Sequence, residues 1–193
     1  MSFLEVLYFI VPSALLYATP LIFTGTGALF SERAGVIGLG VEGLMVVGAF
    51  TGIYVNLEYY DTFGTGVIWV AILAAMVAGL VFSLLLAVAA VTFRADQTVT
   101  GVALNMLGAA IAVFSVKMIY DKGQTDMIKA PIQRDAIPYL SDIPFFGPLL
   151  FTDVYSVSII AFIVAILAWV VIYKTPFGLR LRAVGEHPMA ADT

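Results

Sequence analysis

Residues 66–93, GVIWVAILAAMVAGLVFSLLLAVAAVTF, contain neither a charged residue nor a proline. A helix needs roughly 20 mainly apolar residues to cross the hydrocarbon core of a bilayer, and this stretch is longer than that. A single segment satisfies all of its backbone polar groups in lipid only as a helix. The stretch therefore predicts a transmembrane helix.

Four further stretches have the same character, and they cover residues 6–29, 34–56, 99–119 and 154–173. The charged residues within them are Glu42 and Lys117. Over the whole chain 62% of the residues are hydrophobic and 11% are charged, whereas a soluble domain has about 25% charged residues. We therefore predict an all-α, polytopic bundle of five transmembrane helices that spans the whole chain.

The side chains that carry most catalytic and metal chemistry are scarce in this sequence. The chain has no cysteine, which excludes disulfides, thiolate metal sites and cysteine nucleophiles. The one histidine, His187, excludes a histidine-based metal cluster and argues against a serine–histidine triad. No run of basic residues is present, so nucleic acid binding is not expected either. The sequence predicts no catalytic site, no metal and no cofactor.

Basic residues between the predicted helices indicate which side of the membrane each loop occupies, because cytoplasmic loops are rich in Lys and Arg. The relevant residues are Arg33, Arg94, Lys174, Arg180 and Arg182. They predict that residues 174–193 are cytoplasmic and that the N-terminus and the loop 120–153 are outside. The proline-rich end of that loop, residues 137–151, is expected to be a surface loop with aromatic anchors. The alternative is a gate over a central pathway.

The second predicted helix and the residues before it, SERAGVIGLGVEGLMVVGAFTG (31–52), contain a stripe of mostly small residues. Its members are spaced alternately by three and four, and they are Gly35, Gly38, Glu42, Met45, Ala49 and Gly52. Gly48 with Gly52 adds a GxxxG pair, which favours close helix packing. The pattern predicts that Glu42 lies on the packed face. This carboxylate either stabilises the packing or lines a solute pathway, because intramembrane acids are costly and often functional.

The fourth predicted helix and its start, RADQTVTGVALNMLGAAIAVF (94–114), have a similar stripe, formed by Gly101, Asn105, Gly108 and Ala112. Asn105 offers two donors and one acceptor in a region without water. It either joins two helices or hydrogen-bonds a solute, and the first role is favoured. Asp96 or Thr98 is expected to be the N-cap of this helix.

The C-terminal segment KTPFGLRLRAVGEHPMAADT (174–193) leaves the membrane at Thr175 and Pro176. Gly178 and Gly185 are expected to allow turns, and Pro188 is expected to open a short helix. The segment stops as this small, alanine-rich helix begins, which favours an internal segment that has been cut short.

Three of these motifs resemble the permeases of ABC importers for nucleosides and simple sugars: SERAGVIGLGVEGLMVVGAF, ADQTVTGVALNML and TPFGLRLRAVGEHPMAADT. The resemblance covers essentially the whole chain and extends more distantly to permeases for ribose and branched-chain amino acids.

The resemblance implies a multi-pass protein of a prokaryotic plasma membrane. Such a permease pairs with a second permease subunit, two ATPase subunits and an extracellular binding protein. Solute would pass along the interface between the permeases, and the ATPase partner would hydrolyse ATP. The permease itself would be a transport subunit and not an enzyme. Family members continue with further spans, which implies that this chain is an N-terminal fragment.

The resemblance also implies that residues 174–193 begin the cytoplasmic loop that couples the permease to its ATPase. The residues assigned to coupling are Gly178, Arg182, Gly185, Glu186, Met189 and Ala190. A turn at Gly185 is expected to set the angle of the docking helix. The open alternatives are a permease for simple sugars or branched-chain amino acids and, in another class, an ion-coupled carrier with Glu42 as its cation site.

Overall fold

The computed structural model describes residues 3–132, 134–135 and 154–191. Within these ranges five helices are long and apolar enough to cross a membrane, which confirms the predicted all-α, polytopic class. The predicted surface loop at residues 137–151, and with it the alternative of a gate, lies outside the described residues. Contacts divide the chain into two units, Met1–Gly35 with Ile132–Thr193 and Val36–Pro131.

The first unit is built on two long helices, α1 (Phe3–Arg33) and α6 (Ser156–Lys174), which pack against each other. Its other elements are the paired strands β1 (Arg134–Asp135) and β2 (Val154–Tyr155), α7 (Pro176–Glu186) and α8 (Pro188–Ala191). The strands are antiparallel. The hydroxyl oxygens of Thr19 on α1 and Ser158 on α6 lie 2.7 Å apart and are buried. This contact joins the two helices by a buried hydrogen bond.

The packed face of α6 follows from its sequence. Its buried residues are Ser158, Ala161, Ala168 and Ile172, which lie on one face at helical spacing. Most are small, so α1 approaches closely. The large residues Phe162, Ile166 and Leu167 are exposed, as expected for a helix whose other faces meet lipid.

The second unit holds α2 (Val41–Glu58), α3 (Tyr60–Phe63), a 3-10 turn (Gly64–Gly66), α4 (Val67–Ala87), a π-helical turn (Val88–Thr92) and α5 (Gln97–Tyr120). The α2 helix packs on both α4 and α5. Gly48 and Gly52 face α4. A Cβ on them would lie 3.4 Å from the carbonyl oxygen of Ala75 and 3.5 Å from that of Ala71, respectively. Two of the predicted packing glycines thus lie at the contact between α2 and α4.

The residues after α5 return to the end of α2. The buried amide of Asn56 donates to the carbonyl oxygen of Ala130 (3.0 Å) and accepts from its N–H (3.3 Å). Beside this pair, Lys129 forms an ion pair with Asp61 at 3.5 Å. The Asn56 side chain therefore bonds both backbone groups of Ala130, as a neighbouring strand would.

The largest difference from the predicted boundaries is at the start of the second span. The prediction began at residue 34, but α2 begins at Val41, and residues 36–40 are neither helix nor strand. Gly35 and Gly38 therefore precede the helix and are not part of a helical stripe. At α5 the prediction was closer. Asp96 is its N-cap and accepts hydrogen bonds from Thr98 N (2.8 Å) and Val99 N (3.0 Å).

Candidate functional site

The non-helical residues that lead into α2 take their hydrogen-bond partners from α5. Inside a bilayer, exposed backbone groups are costly, and irregular backbone is tolerated where protein or water satisfies it. The N–H of Ile37 donates to the Gln97 side-chain oxygen at 2.9 Å, and the Leu39 carbonyl accepts from Asn105 Nδ2 at 2.8 Å. Two amide side chains, eight residues apart on one helix, thus satisfy two backbone groups of the non-helical stretch.

Asn105 also caps α2. Gly40 precedes the helix and offers no side-chain cap, and the N–H of Gly43, at the third helical position, donates to Asn105 Oδ1 at 2.7 Å. This is the hydrogen bond that an N-cap side chain normally accepts, supplied here by another helix. Asn105 is half-buried, and both ends of its amide are bonded to backbone. This geometry favours the helix-joining role over contact with a solute.

Glycines on both sides allow the two backbones to touch. A Cβ on Gly43 would lie 2.5 Å from the Leu104 carbonyl oxygen, and one on Gly108 would lie 2.7 Å from that of Gly43. A Cβ on Gly101 would lie 2.8 Å from Leu39 Cβ. None of these positions tolerates a side chain without movement of backbone. The sequence reasoning missed Gly43 and Gly40, although their three-residue spacing opposite a small-residue stripe is the pattern that could have identified them.

The expected position of Glu42 on the packed face is wrong. Its side chain is exposed, whereas the next residue, Gly43, is buried against α5. The packed face passes through Gly43 instead, whose Cα side meets the backbone of Leu104 and Asn105 on α5. Glu42 lies in the first turn of α2, where the helix dipole favours a carboxylate. Among the described residues no Lys or Arg forms an ion pair with it.

In the other unit, α7 is fixed tightly to the end of α6. Thr175 is its N-cap, accepting from Gly178 N at 3.3 Å and donating to the Val171 carbonyl at 2.6 Å. Pro176 occupies the first helical position, where its missing N–H costs nothing. A Cβ on Gly178 would overlap the carbonyl oxygens of Val171 and Ile172. The sharp corner between α6 and α7 therefore requires glycine at residue 178.

Gly185 is equally confined, and the turns expected at Gly178 and Gly185 are wrong because both residues lie within α7. A Cβ on Gly185 would overlap the Arg33 carbonyl oxygen at the end of α1 and lie 3.1 Å from Gly35 N. Gly35 itself has φ +83°, which only glycine adopts readily. These contacts hold α7 against the end of α1, so each glycine serves close packing.

The predicted coupling residues therefore divide into two groups. Gly178, Arg182 and Gly185 face the chain's own helices, with Arg182 Cζ 5.3 Å from the centre of the Tyr173 ring. Glu186 and Met189 are exposed, and the side chain of Ala190 lies outside the described part. Three apolar residues of α7 are also exposed, and they are Phe177, Leu179 and Val184. Phe177 and Leu179 were not among the predicted coupling residues. The α8 helix begins at Pro188, as expected.

Comparison of the amino-acid sequence with known proteins identifies the family of the chain. The family described as branched-chain amino acid transport system, permease component, matches residues 10–193. Over all 193 residues the chain is 53% identical to the guanosine ABC transporter permease protein NupQ of Bacillus subtilis, covering 60% of it. It is 45% identical to the nucleoside ABC transporter permease protein NupC of Lactococcus lactis, covering 61% of that protein. The chain thus spans about three fifths of the length of these relatives. No solved structure matches it. The chain belongs to the family of permease components typified by branched-chain amino acid transport systems.

Proposed function

We propose that the chain forms the membrane-spanning part of an ATP-driven importer whose solutes are nucleosides. The observation that carries this proposal is the identity of 53% and 45%, over every residue of the chain, to permeases named for guanosine and nucleosides. Similarity of this extent includes the segment leading into α2 and the segment that forms α7, the two places where glycines fix backbone contacts. The proposal places the protein in the plasma membrane of a prokaryote, with residues 174–193 on the cytoplasmic side.

The geometry supports Glu42 as the group that meets the solute. It is a carboxylate at the start of a membrane helix, exposed and without a basic partner among the described residues. Ribose hydroxyls and the N–H groups of a nucleobase are donors that a carboxylate accepts. Asn105 acts differently in this account. It positions the first turn of α2, and thereby Glu42, through its bonds to Gly43 and Leu39.

The proposed partners are two ATPase subunits, a second permease subunit and an extracellular binding protein. Exposed apolar side chains of α7 and α8 suit a groove on the ATPase. They are Phe177, Leu179, Val184 and Met189. Phe177 and Val184, seven residues apart, lie on one face of α7. The opposite face of α7 is held by Gly178 and Gly185 against carbonyl oxygens of α6 and α1. Movement of α7 by the ATPase would therefore move two membrane helices with it.

The test is the solute specificity of the assembled transporter. The full-length permease, its ATPase and its binding protein are reconstituted in proteoliposomes, and ATP hydrolysis is measured with a panel of nucleosides, sugars and branched-chain amino acids. We expect nucleosides to stimulate hydrolysis and the other two classes to leave it at its basal rate. Stimulation by sugars or by leucine alone would leave an ATP-driven permease but overturn the nucleoside assignment.

A further inference from the structure

The ring of Tyr173, near the end of α6, lies next to two guanidinium groups from different helices. Arg33, the last residue of α1, has its Cζ 5.7 Å from the ring centre and donates a hydrogen bond from Nη2 to the Tyr173 hydroxyl at 2.9 Å. Arg182 of α7 has its Cζ 5.3 Å from the same centre. Lys174 follows Tyr173 directly, and its Nζ lies 5.6 Å from the centre of the ring of Trp169, which is one turn before Tyr173 on α6. Three cations are thus gathered where α1, α6 and α7 meet.

No carboxylate forms an ion pair with this cluster among the residues that the structure describes. Within the described part of the chain, ion pairs join Lys122 to Asp126 and Lys129 to Asp61, and none involves Arg33, Lys174 or Arg182. An aromatic ring attracts a cation but carries no net charge, so it leaves the mutual repulsion of the guanidinium groups in place. An anion bound between them would remove that repulsion. A phosphate group fits best, because the planar guanidinium fork pairs with phosphate through two parallel hydrogen bonds.

The position of the cluster indicates where the phosphate comes from. The candidate membrane spans of α1 and α6 end at Arg33 and Lys174, and we infer that these residues lie at the level of the lipid headgroups. Trp169 and Tyr173 are 51% and 37% exposed there, as is typical of aromatic residues at the membrane surface. Basic pockets between transmembrane helices bind acidic lipid headgroups elsewhere. Arg33 and Lys174 are exposed and Arg182 is half-buried, so a headgroup at the rim can reach the cluster.

We propose that Arg33, Tyr173 and Arg182 form a binding site for the phosphate group of an anionic phospholipid, with Lys174 at its edge. The bound lipid joins the end of α1 to α7 by bridging one guanidinium from each. It thereby fixes α7 at the angle that Gly185 and Gly178 permit. This site does not depend on which solute the protein carries.

The experiment counts lipids that stay bound to the full-length protein. The purified protein is exposed to equal amounts of phosphatidylglycerol and phosphatidylcholine, and the retained lipids are measured by native mass spectrometry. We expect the wild type to retain phosphatidylglycerol selectively, and Arg33→Gln and Arg182→Gln each to weaken that retention about fivefold. Arg180→Gln is the matched control, because Arg180 lies on the same helix, carries the same charge and is exposed. Arg33→Lys keeps the positive charge but loses the planar guanidinium group. Its retention of phosphatidylglycerol should lie between that of the wild type and that of Arg33→Gln.

Further arms separate the lipid from other anions. Retention that is equal in Arg33→Gln, Arg182→Gln and Arg180→Gln would overturn the site. Stabilisation of the wild type against heat by millimolar inorganic phosphate, without any by phosphatidylglycerol, would overturn the lipid as the source. Loss of the ATPase subunits in Arg33→Gln, with lipid retention unchanged, would assign the arginines to a protein partner instead. If a glutamine variant fails to fold, Arg33→Lys is compared with the wild type, and equal retention of phosphatidylglycerol by the two would overturn the site.

Discussion

Asn105 on α5 caps a helix to which it does not belong, by accepting a hydrogen bond from Gly43 N on α2 at 2.7 Å. The same side chain donates to the carbonyl of Leu39 at 2.8 Å. One amide therefore satisfies a donor and an acceptor on either side of the start of α2. Because Gly43 follows Glu42 directly, this bond also fixes the backbone from which the Glu42 side chain projects.

The first prediction concerns the stability that this cap provides. Asn105→Leu removes both bonds and leaves two backbone groups without a partner, so the free energy of unfolding should fall by about 1–2 kcal/mol. The measurement is thermal unfolding of the full-length protein in detergent. Met106→Leu is the control, because Met106 is the neighbouring residue and is 71% exposed. If Asn105→Leu unfolds at the same temperature as Met106→Leu, Asn105 does not hold α2 in place.

The second prediction concerns Glu42. Since its side chain is exposed and does not form the packed face, Glu42→Leu should leave assembly and unfolding temperature nearly unchanged while lowering transport strongly. Glu42→Gln keeps an acceptor oxygen and should be milder. Transport of labelled nucleoside and the amount of assembled complex are measured on the same preparations. Normal transport in Glu42→Leu would remove Glu42 from the pathway, and loss of the complex would make it a packing residue.

The third prediction concerns the contact between Gly185 and the end of α1. Gly185→Trp places a large side chain where even a Cβ would overlap the Arg33 carbonyl oxygen, so α7 must move away from α1. Solute-stimulated ATP hydrolysis by the assembled complex should then be lost, while the binding protein keeps its affinity for solute. Gly123→Trp is a suitable control, because open space surrounds Gly123. Unchanged stimulation in Gly185→Trp would show that α7 does not couple the two processes.

The fourth prediction concerns orientation. The basic residues at the ends of the spans predict that Asp61 and Asp126 lie outside and Glu186 inside. None of the 193 residues is a cysteine, so each introduced cysteine is the one thiol in this part of the protein. In intact cells, cysteines at residues 61 and 126 should react with an impermeant thiol reagent, and a cysteine at residue 186 should not. The reverse pattern would invert the topology.

The membrane-spanning architecture could be predicted because composition alone decides it. Twenty or more apolar residues in a row have few structures available to them in water or in lipid. The N-cap of α5 was also predictable, because Asp96 bonds to N–H groups only two and three residues away. Local contacts of this kind are visible in the sequence.

The start of α2 was mispredicted because its cause is not local. Residues 36–40 are as apolar as the helix that follows, so their composition does not mark them as non-helical. Their backbone is bonded by the side chains of Gln97 and Asn105, which are far away in sequence. The role of Gly178 and Gly185 was missed for a related reason. A glycine that permits a turn and one that permits a carbonyl oxygen to come close look the same in a sequence, and only the neighbouring helix distinguishes them.

The measurement that tests the central claim most directly is the uptake of labelled guanosine into proteoliposomes that contain the full-length permease with its ATPase and binding protein. We predict that uptake requires ATP on the side of the ATPase and continues when proton and sodium gradients are abolished. Uptake that proceeds without ATP and stops when an ion gradient is dissipated would contradict the account and identify an ion-coupled carrier.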